Sequence, residues 1–171
     1  MVLNASITFK RFEMAEWLIK TNQIDINMAL IEACESASIE LIDISIKMGA
    51  CQIDEGFMSA CAKGHLPIIK HLMKLGYCNL DRELNKACQN GNKKVALFLI
   101  GQGARNYNLA LLSASEYRCP KLLKILINLG ADNLNSALSI ACSLDNKDNV
   151  NVLIRRGASY CIYCNNDKHV T

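Results

Sequence analysis

A 27-residue period runs through the chain and constrains it more than any local motif. Ala-Cys, or its near-equivalent Ala-Ser, recurs at Ala33-Cys34, Ala60-Cys61, Ala87-Cys88, Ala114-Ser115 and Ala141-Cys142. Gly49, Gly76, Gly103, Gly130 and Gly157 keep the same interval. A fixed period of roughly 20 to 50 residues marks a stacked array of small units, none of which can bury its apolar face alone. The register defines six units, 2–28, 29–55, 56–82, 83–109, 110–136 and 137–163, followed by a polar tail, 164–171. The expectation is a single repeat domain over 1–171. Its first unit is degenerate but in phase, with Leu3 at the position of Leu30, Phe57, Leu84, Leu111 and Leu138, and Asn22 in place of the glycine.

Each unit reads as helix, turn, helix, stop. Asn27, Asp54, Asp81, Asn108 and Asn135 stand ahead of the first helix, where a side-chain oxygen can cap its free amides. An apolar residue and the Ala-Cys pair then form a stripe at helical spacing, small enough for helices to approach closely. Gly64-His65 and Gly91-Asn92 supply turns, and Pro67 and Pro120 fall where a second helix begins and a missing N–H costs little. Ile68, Ile69, Leu72 and Met73 form the second stripe, which Gly76 ends. No stretch has the alternation of a strand. Helices of roughly two turns are unstable alone, so stability must come from stacking. The fold class expected is an all-α helix-turn-helix solenoid. Lys147 and Asn149 stand where the third unit has Leu66 and Ile68, and are read as the polar outer face of a C-terminal cap.

Composition narrows the function classes. Apolar residues make up 51% and charged residues 20%, which favours a folded chain, and the formal net charge of +3 is too small to argue for a nucleic-acid partner, so none is expected. No apolar run approaches the roughly 20 residues of a membrane span. The opening MVLNASITFKRF lacks the apolar core of an export signal, so the Asn4-Ala5-Ser6 sequon is read as chance. Of nine cysteines, Cys34, Cys61, Cys88 and Cys142 share one register position, and Cys51 and Cys78 another. Cysteine recurring in this way acts as a small hydrophobe in a reducing, cytoplasmic compartment.

The third unit, with Phe57, Ala60-Cys61, Gly64-His65, Ile68-Ile69, Leu72-Met73 and Gly76-Tyr77, resembles an ankyrin repeat. Gly-Ala endings at Gly49-Ala50, Gly103-Ala104, Gly130-Ala131 and Gly157-Ala158 extend the resemblance over residues 2–163. The resemblance implies a non-catalytic module that binds a protein on its concave first-helix and turn face. The family's Thr-Pro-Leu-His opening is absent, and the period is 27 where about 33 is usual. The missing residues fall where the family carries its hairpin fingers, so trimmed loops are expected. Short-period arrays of this composition are similar to those of large DNA viruses, protists and intracellular bacteria, which implies a host protein as partner, in host cytoplasm or nucleus.

Chemistry-bearing residues are few. Cys161-x-x-Cys164 with His169 offers three zinc ligands where a structural site needs four. Cys119 breaks the register and lacks a histidine in its own unit to activate it. His65 occupies the family's turn position, where hydrogen bonding between neighbouring turns is the expected role. Gly101-x-Gly103 lacks the downstream Lys-Ser/Thr of a phosphate loop, and Lys93-Lys94 and Arg155-Arg156 read as solvated basic pairs. No catalytic residue, metal or cofactor is expected.

Four positions vary from unit to unit: Glu32, Glu35, Ser36 and Ser38; Ser59, Ala62, Lys63 and His65; Lys86, Gln89, Asn90 and Asn92; Ser113, Glu116, Tyr117 and Cys119. They are read as one continuous recognition face. Tyr117 and Arg118 break the Gly-His turn pattern with residue types that anchor interfaces. The partner-binding set is therefore Lys63, His65, Lys86, Asn90, Asn92, Glu116, Tyr117 and Arg118. The reading favours a monomer. Its alternatives are a self-assembling structural protein that dimerises through the first unit, where Leu3, Ile7 and Phe9 precede the first charge at Lys10, and a small Cys/His metal protein.

Overall fold

The computed structural model describes residues 17–159, apart from 20, 22 and 78. All regular structure among the described residues is helical. The expectations placed on Leu3, Asn22, the first unit's outer edge and the Cys161/Cys164/His169 tail lie outside the described residues. Backbone contacts divide the chain into two compact units, Met1–Asn79 and Leu80–Thr171.

In the first unit, residues 17–19 are helical. Four helices follow: α1 (Ile26–Glu35), α2 (Ile39–Lys47), α3 (Ile53–Lys63) and α4 (Leu66–Lys74). Helix α1 packs on α2 and α3, and α3 packs on α4. Leu30, Leu41, Ile42, Phe57, Ile68, Ile69 and Leu72 form the core, at the register positions where the sequence placed apolar stripes. The small residues act as expected. A Cβ on Gly56 of α3 would lie 2.9 Å from Cys34 Sγ on α1, so the two helices meet at a distance that glycine permits.

The second unit carries α5 (Leu80–Gln89), α6 (Lys93–Gln102), α7 (Tyr107–Glu116), α8 (Pro120–Asn128), α9 (Leu134–Ser143) and α10 (Lys147–Arg155). The first helices stack as α5 on α7 on α9, each pairs with its own second helix, and α8 packs on α10. Gly103 shows how the period glycine works. At φ +115° it ends α6, its N–H donating to Ile100 O and that of Ala104 to Leu99 O. These bonds satisfy carbonyls that a helix end otherwise leaves unpaired. The helices run 9 to 11 residues, nearer three turns than two.

The Asn and Asp residues expected as caps are not caps. The first helices begin earlier, so Asn27, Asp81, Asn108 and Asn135 occupy the second helical position. Asp25 caps α1, accepting from the amides of Asn27 and Met28, and Asn106 caps α7, accepting from Leu109. The inner Asx instead reaches to the loop that enters the next repeat. Asn27 Oδ1 accepts from Cys51 N and Gln52 N at 2.8 and 3.1 Å. Asp81 Oδ1 accepts from Arg105 N and Asn106 N at 2.7 and 2.9 Å. Asn108 Oδ1 accepts from Asp132 N and Asn133 N, and Asn135 Oδ1 from Ser159 N. One oxygen thus orders a loop too short to form its own ladder, with each bond worth about 1 kcal/mol net.

Asp81 is the charged member of this series, and its pKa carries a prediction. The amides of Asn106 and Arg105 hold the carboxyl below its ordinary value of 3.8. A depressed folded pKa contributes stability that is complete above the unfolded pKa and is lost as pH falls through the folded one. Asp81→Asn, the residue found at three sister positions, is expected to keep the clamp and flatten the decline in melting temperature below about pH 4. An acid decline identical in Asp81→Asn and the parent chain would refute this source.

Two further expectations are corrected. Asn149 is fully buried and does not lie on a polar outer face, because its amide serves the preceding repeat; Lys147 is exposed, as a terminal cap would have it. Cys142 is disulfide-bonded and half-buried, whereas Cys34, Cys61 and Cys88 are thiols and fully buried. At Cys34 the next repeat's helix covers the thiol, but α9 is the last first helix among the described residues, leaving Cys142 less covered.

Candidate functional site

The expected partner-binding residues fall in both compact units, and each group is built by its own turn. In the first unit, Lys63 ends α3 and His65 precedes α4. Gly64, at φ +81°, reverses the chain between them. His65 Nε2 donates to the carbonyl of Glu35 at 2.7 Å, tying one turn to the turn before it, as the sequence suggested. The Lys63 ammonium lies 3.6 Å from the Glu35 carboxylate. Both side chains are committed within the molecule, and an exposed pair of this kind contributes little to stability.

In the second unit, Lys86, Asn90, Asn92, Glu116, Tyr117 and Arg118 cluster about two successive turns. Lys86 Nζ donates to Gln89 Oε1 at 3.2 Å, and Gln89 Nε2 donates to Glu116 Oε2 at 3.4 Å, which links the end of α5 to the end of α7. Asn90 Nδ2 donates to Lys86 O at 3.0 Å. Asn92 flanks Gly91 at the start of α6 and is half-buried.

Tyr117 is the unusual feature. Gly91 takes φ +68° at the α5–α6 turn, and a Cβ there would sit 2.0 Å from Tyr117 Cε1. The ring therefore lies directly on the glycine backbone, with 47% of the residue exposed. The backbone of Tyr117 is pinned as well. Asn149 Nδ2 donates to Tyr117 O at 2.7 Å and to Ala114 O and Ser115 O at 3.3 Å. This turn has no glycine, and the buried amide takes over the pairing of the α7 carbonyls. Arg118 is exposed beside it and helps line a pocket of about 280 Å³ with Asp145, Asn146, Lys147 and Asp148. Leu144, which stands 27 residues after Tyr117, is also exposed.

Not every variable position is a surface position. Ser38 is buried and caps α2, accepting from Leu41 N. Ser113 is buried and donates to Asn85 Oδ1. Sequence variation there reflects local pairing. Conversely, Gly91 and Asn149 hold Tyr117 in place and are not among the expected residues. Gly91 was read only as a turn former and Asn149 only as a cap.

Two of the buried thiols are far from activation. Burial pushes Cys34 and Cys88 up to about 12, with Glu35 and Cys119 adding smaller effects in the same direction. Such thiols stay protonated and inert. Cys119 is half-buried and precedes α8 without a side-chain capping bond. No group of three or more His, Cys, Asp or Glu suited to a metal ion occurs among the described residues. None of the described helices is long and apolar enough to cross a membrane.

Comparison with known proteins follows the same lines. Residues 84–164 match the family described as ankyrin repeats (3 copies). The fold is similar to the crystal structure of the human ASB11 ankyrin repeat domain, with a TM-score of 0.66 at 18% identity, over 93% of this chain and 85% of that one. A search of curated proteins gives no significant match.

Proposed function

We propose that this chain, whose residues 84–164 match the ankyrin-repeat family, works as that family's repeats do, as a non-catalytic protein–protein interaction module. We place its recognition site on the first-helix and turn face of the second unit, with Tyr117 as anchor and Arg118 beside it. The observation that carries this reading is the seating of Tyr117. Its ring is fixed on Gly91, its carbonyl is fixed by Asn149, and half of it remains open. An aromatic held in one position before binding loses little entropy on binding, and buried Tyr and Arg are the residues that dominate interface energetics. Lys86, Asn90, Asn92 and Glu116 form its polar surround, and Lys63 and His65 are a separate candidate group on the first unit. The partner is a protein, and the proposed compartment is intracellular, which suits the thiols of Cys34 and Cys88 but not the disulfide-bonded Cys142. A host protein is the partner of choice.

The test is affinity capture from cytosolic extract. The parent chain is compared with a folded variant carrying Lys63→Ala, Lys86→Ala, Tyr117→Ala and Arg118→Ala. A specific partner is expected to stay with the parent and to lose about 2 kcal/mol or more, roughly 30-fold in affinity, with the variant. Equal capture by both chains would move the site elsewhere and refute the proposal.

A further inference from the structure

The second helices of the second compact unit carry an excess of positive charge that the turn face does not explain. Helices α6 and α8 hold Lys93, Lys94, Lys121 and Lys124 and contain no Asp or Glu. In α6 the buried residues are Val95, Ala96 and Leu99, and in α8 they are Leu122, Leu123 and Leu126. Helical periodicity places Lys94 and Leu97 on the opposite side of α6, and Lys121 and Lys124 on the opposite side of α8. All four are exposed, Leu97 at 40%. Lys94 and Lys121 stand 27 residues apart, so they repeat at one register position on successive second helices.

Three comparisons within the molecule set this stripe apart. First, the two lysines of the turn groups are already engaged, Lys63 with Glu35 and Lys86 with Gln89. Lys94, Lys121 and Lys124 have no ion pair or side-chain hydrogen bond among the described residues. Second, the same two register positions on α2 hold Glu40 and Asp43, and Asp43 is met by His71 at 2.7 Å. A cationic stripe is thus not imposed by the repeat. Third, exposed Leu97 sits at the position that Lys124 fills one repeat later, so an apolar side chain interrupts the positive charge.

We infer that the outward stripe Lys94–Leu97–Lys121–Lys124 docks an acidic protein segment, with carboxylates against the three ammonium groups and an apolar side chain on Leu97. Complementary charge accelerates and orients such an encounter, and a contact with one apolar centre gains from desolvation what bare surface ion pairs do not. A protein fits better than a nucleic acid. The exposed stripe has no aromatic ring on which a base could stack, and its cations are lysines, which lack the paired donors of arginine. This surface is separate from the turn face, so one chain can hold two partners.

Fluorescence anisotropy with labelled poly-L-glutamate tests the inference, using three chains of equal melting temperature: the parent, Lys94→Glu/Lys121→Glu/Lys124→Glu, and Tyr117→Ala/Arg118→Ala. The parent is expected to bind with an affinity that falls as salt rises. The triple variant is expected to lose at least about tenfold, and the Tyr117/Arg118 variant to bind like the parent. Equal binding by parent and triple variant would overturn the inference. So would stronger binding, at equal ionic strength, of a single-stranded oligonucleotide or phosphatidylserine vesicles than of the polyglutamate. Loss in the Tyr117/Arg118 variant alone would also overturn it, by assigning the acidic ligand to the turn face.

Discussion

Asn149→Leu is expected to destabilise the protein by about 3 kcal/mol, although an aliphatic residue is what other repeats carry at this register position. Leu41, Ile68, Val95 and Leu122 stand there in the second to fifth repeats. Repeat logic alone would therefore make the change stabilising. The structure reverses the sign. Asn149 is fully buried, and its Nδ2 is shared among the carbonyls of Ala114, Ser115 and Tyr117. Leucine would leave the buried carbonyls of Ala114 and Ser115 and the part-buried carbonyl of Tyr117 without that donor. Asn149 Oδ1 already has no partner, so the loss of that atom offsets a small part of the cost. The amide orientation follows from the surroundings, because the flipped form would set oxygen against three oxygens. Asn149→Asp is expected to be worse still, replacing the donor with a buried charge of the wrong sign. Urea unfolding measures both, and a drop in melting temperature of roughly 10 °C is expected for the leucine variant. A leucine variant as stable as the parent would rule out the lock.

The second large effect is expected at Gly91, and it joins stability to recognition. Gly91→Ala puts a methyl group where the Tyr117 ring lies, 2.0 Å from Cε1, on a backbone at φ +68°. The left-handed conformation alone costs a non-glycine residue about 1 kcal/mol, and expelling the ring adds at least as much again. The total is about 2 kcal/mol, with partner affinity falling as far as in Tyr117→Ala. The two contributions separate in a double-mutant cycle. In a Tyr117→Ala background, Gly91→Ala should cost only the backbone strain, a coupling of about 1 kcal/mol. Equal costs in the two backgrounds would mean that the ring does not rest on Gly91.

The features legible in the sequence were those with few chemical solutions. A left-handed helix stop favours glycine, and a close helix crossing favours Ala, Cys or Gly, so Gly103 and the Ala-Cys pairs left traces of residue type. The Asx clamps left a trace that was misread. Asp25-x-Asn27, Asn106-x-Asn108 and Asn133-x-Asn135 are doublets, and the inner residue was assigned the capping role that Asp25 and Asn106 perform for their helices. Its own bonds run 24 and 25 residues away, beyond any local rule. Asn149 was less legible still. A polar residue in an apolar slot reads as exposed unless the carbonyls opposite are known, and those belong to the preceding repeat. Tyr117 stood out by residue type, but its seating on Gly91 depends on which turns become neighbours.

The Asx clamp has a consequence for how such a chain lengthens. The accepting oxygen and the two amides it serves lie slightly less than one 27-residue period apart, at 24 and 25 residues. A duplicated block of one period, wherever it is cut, therefore brings one acceptor and one receiving loop and leaves no joint unmatched. Copy number can change by gene duplication without a new joining segment. Divergence is left to the turns, where one tyrosine and one asparagine have already made the fifth junction unlike the others.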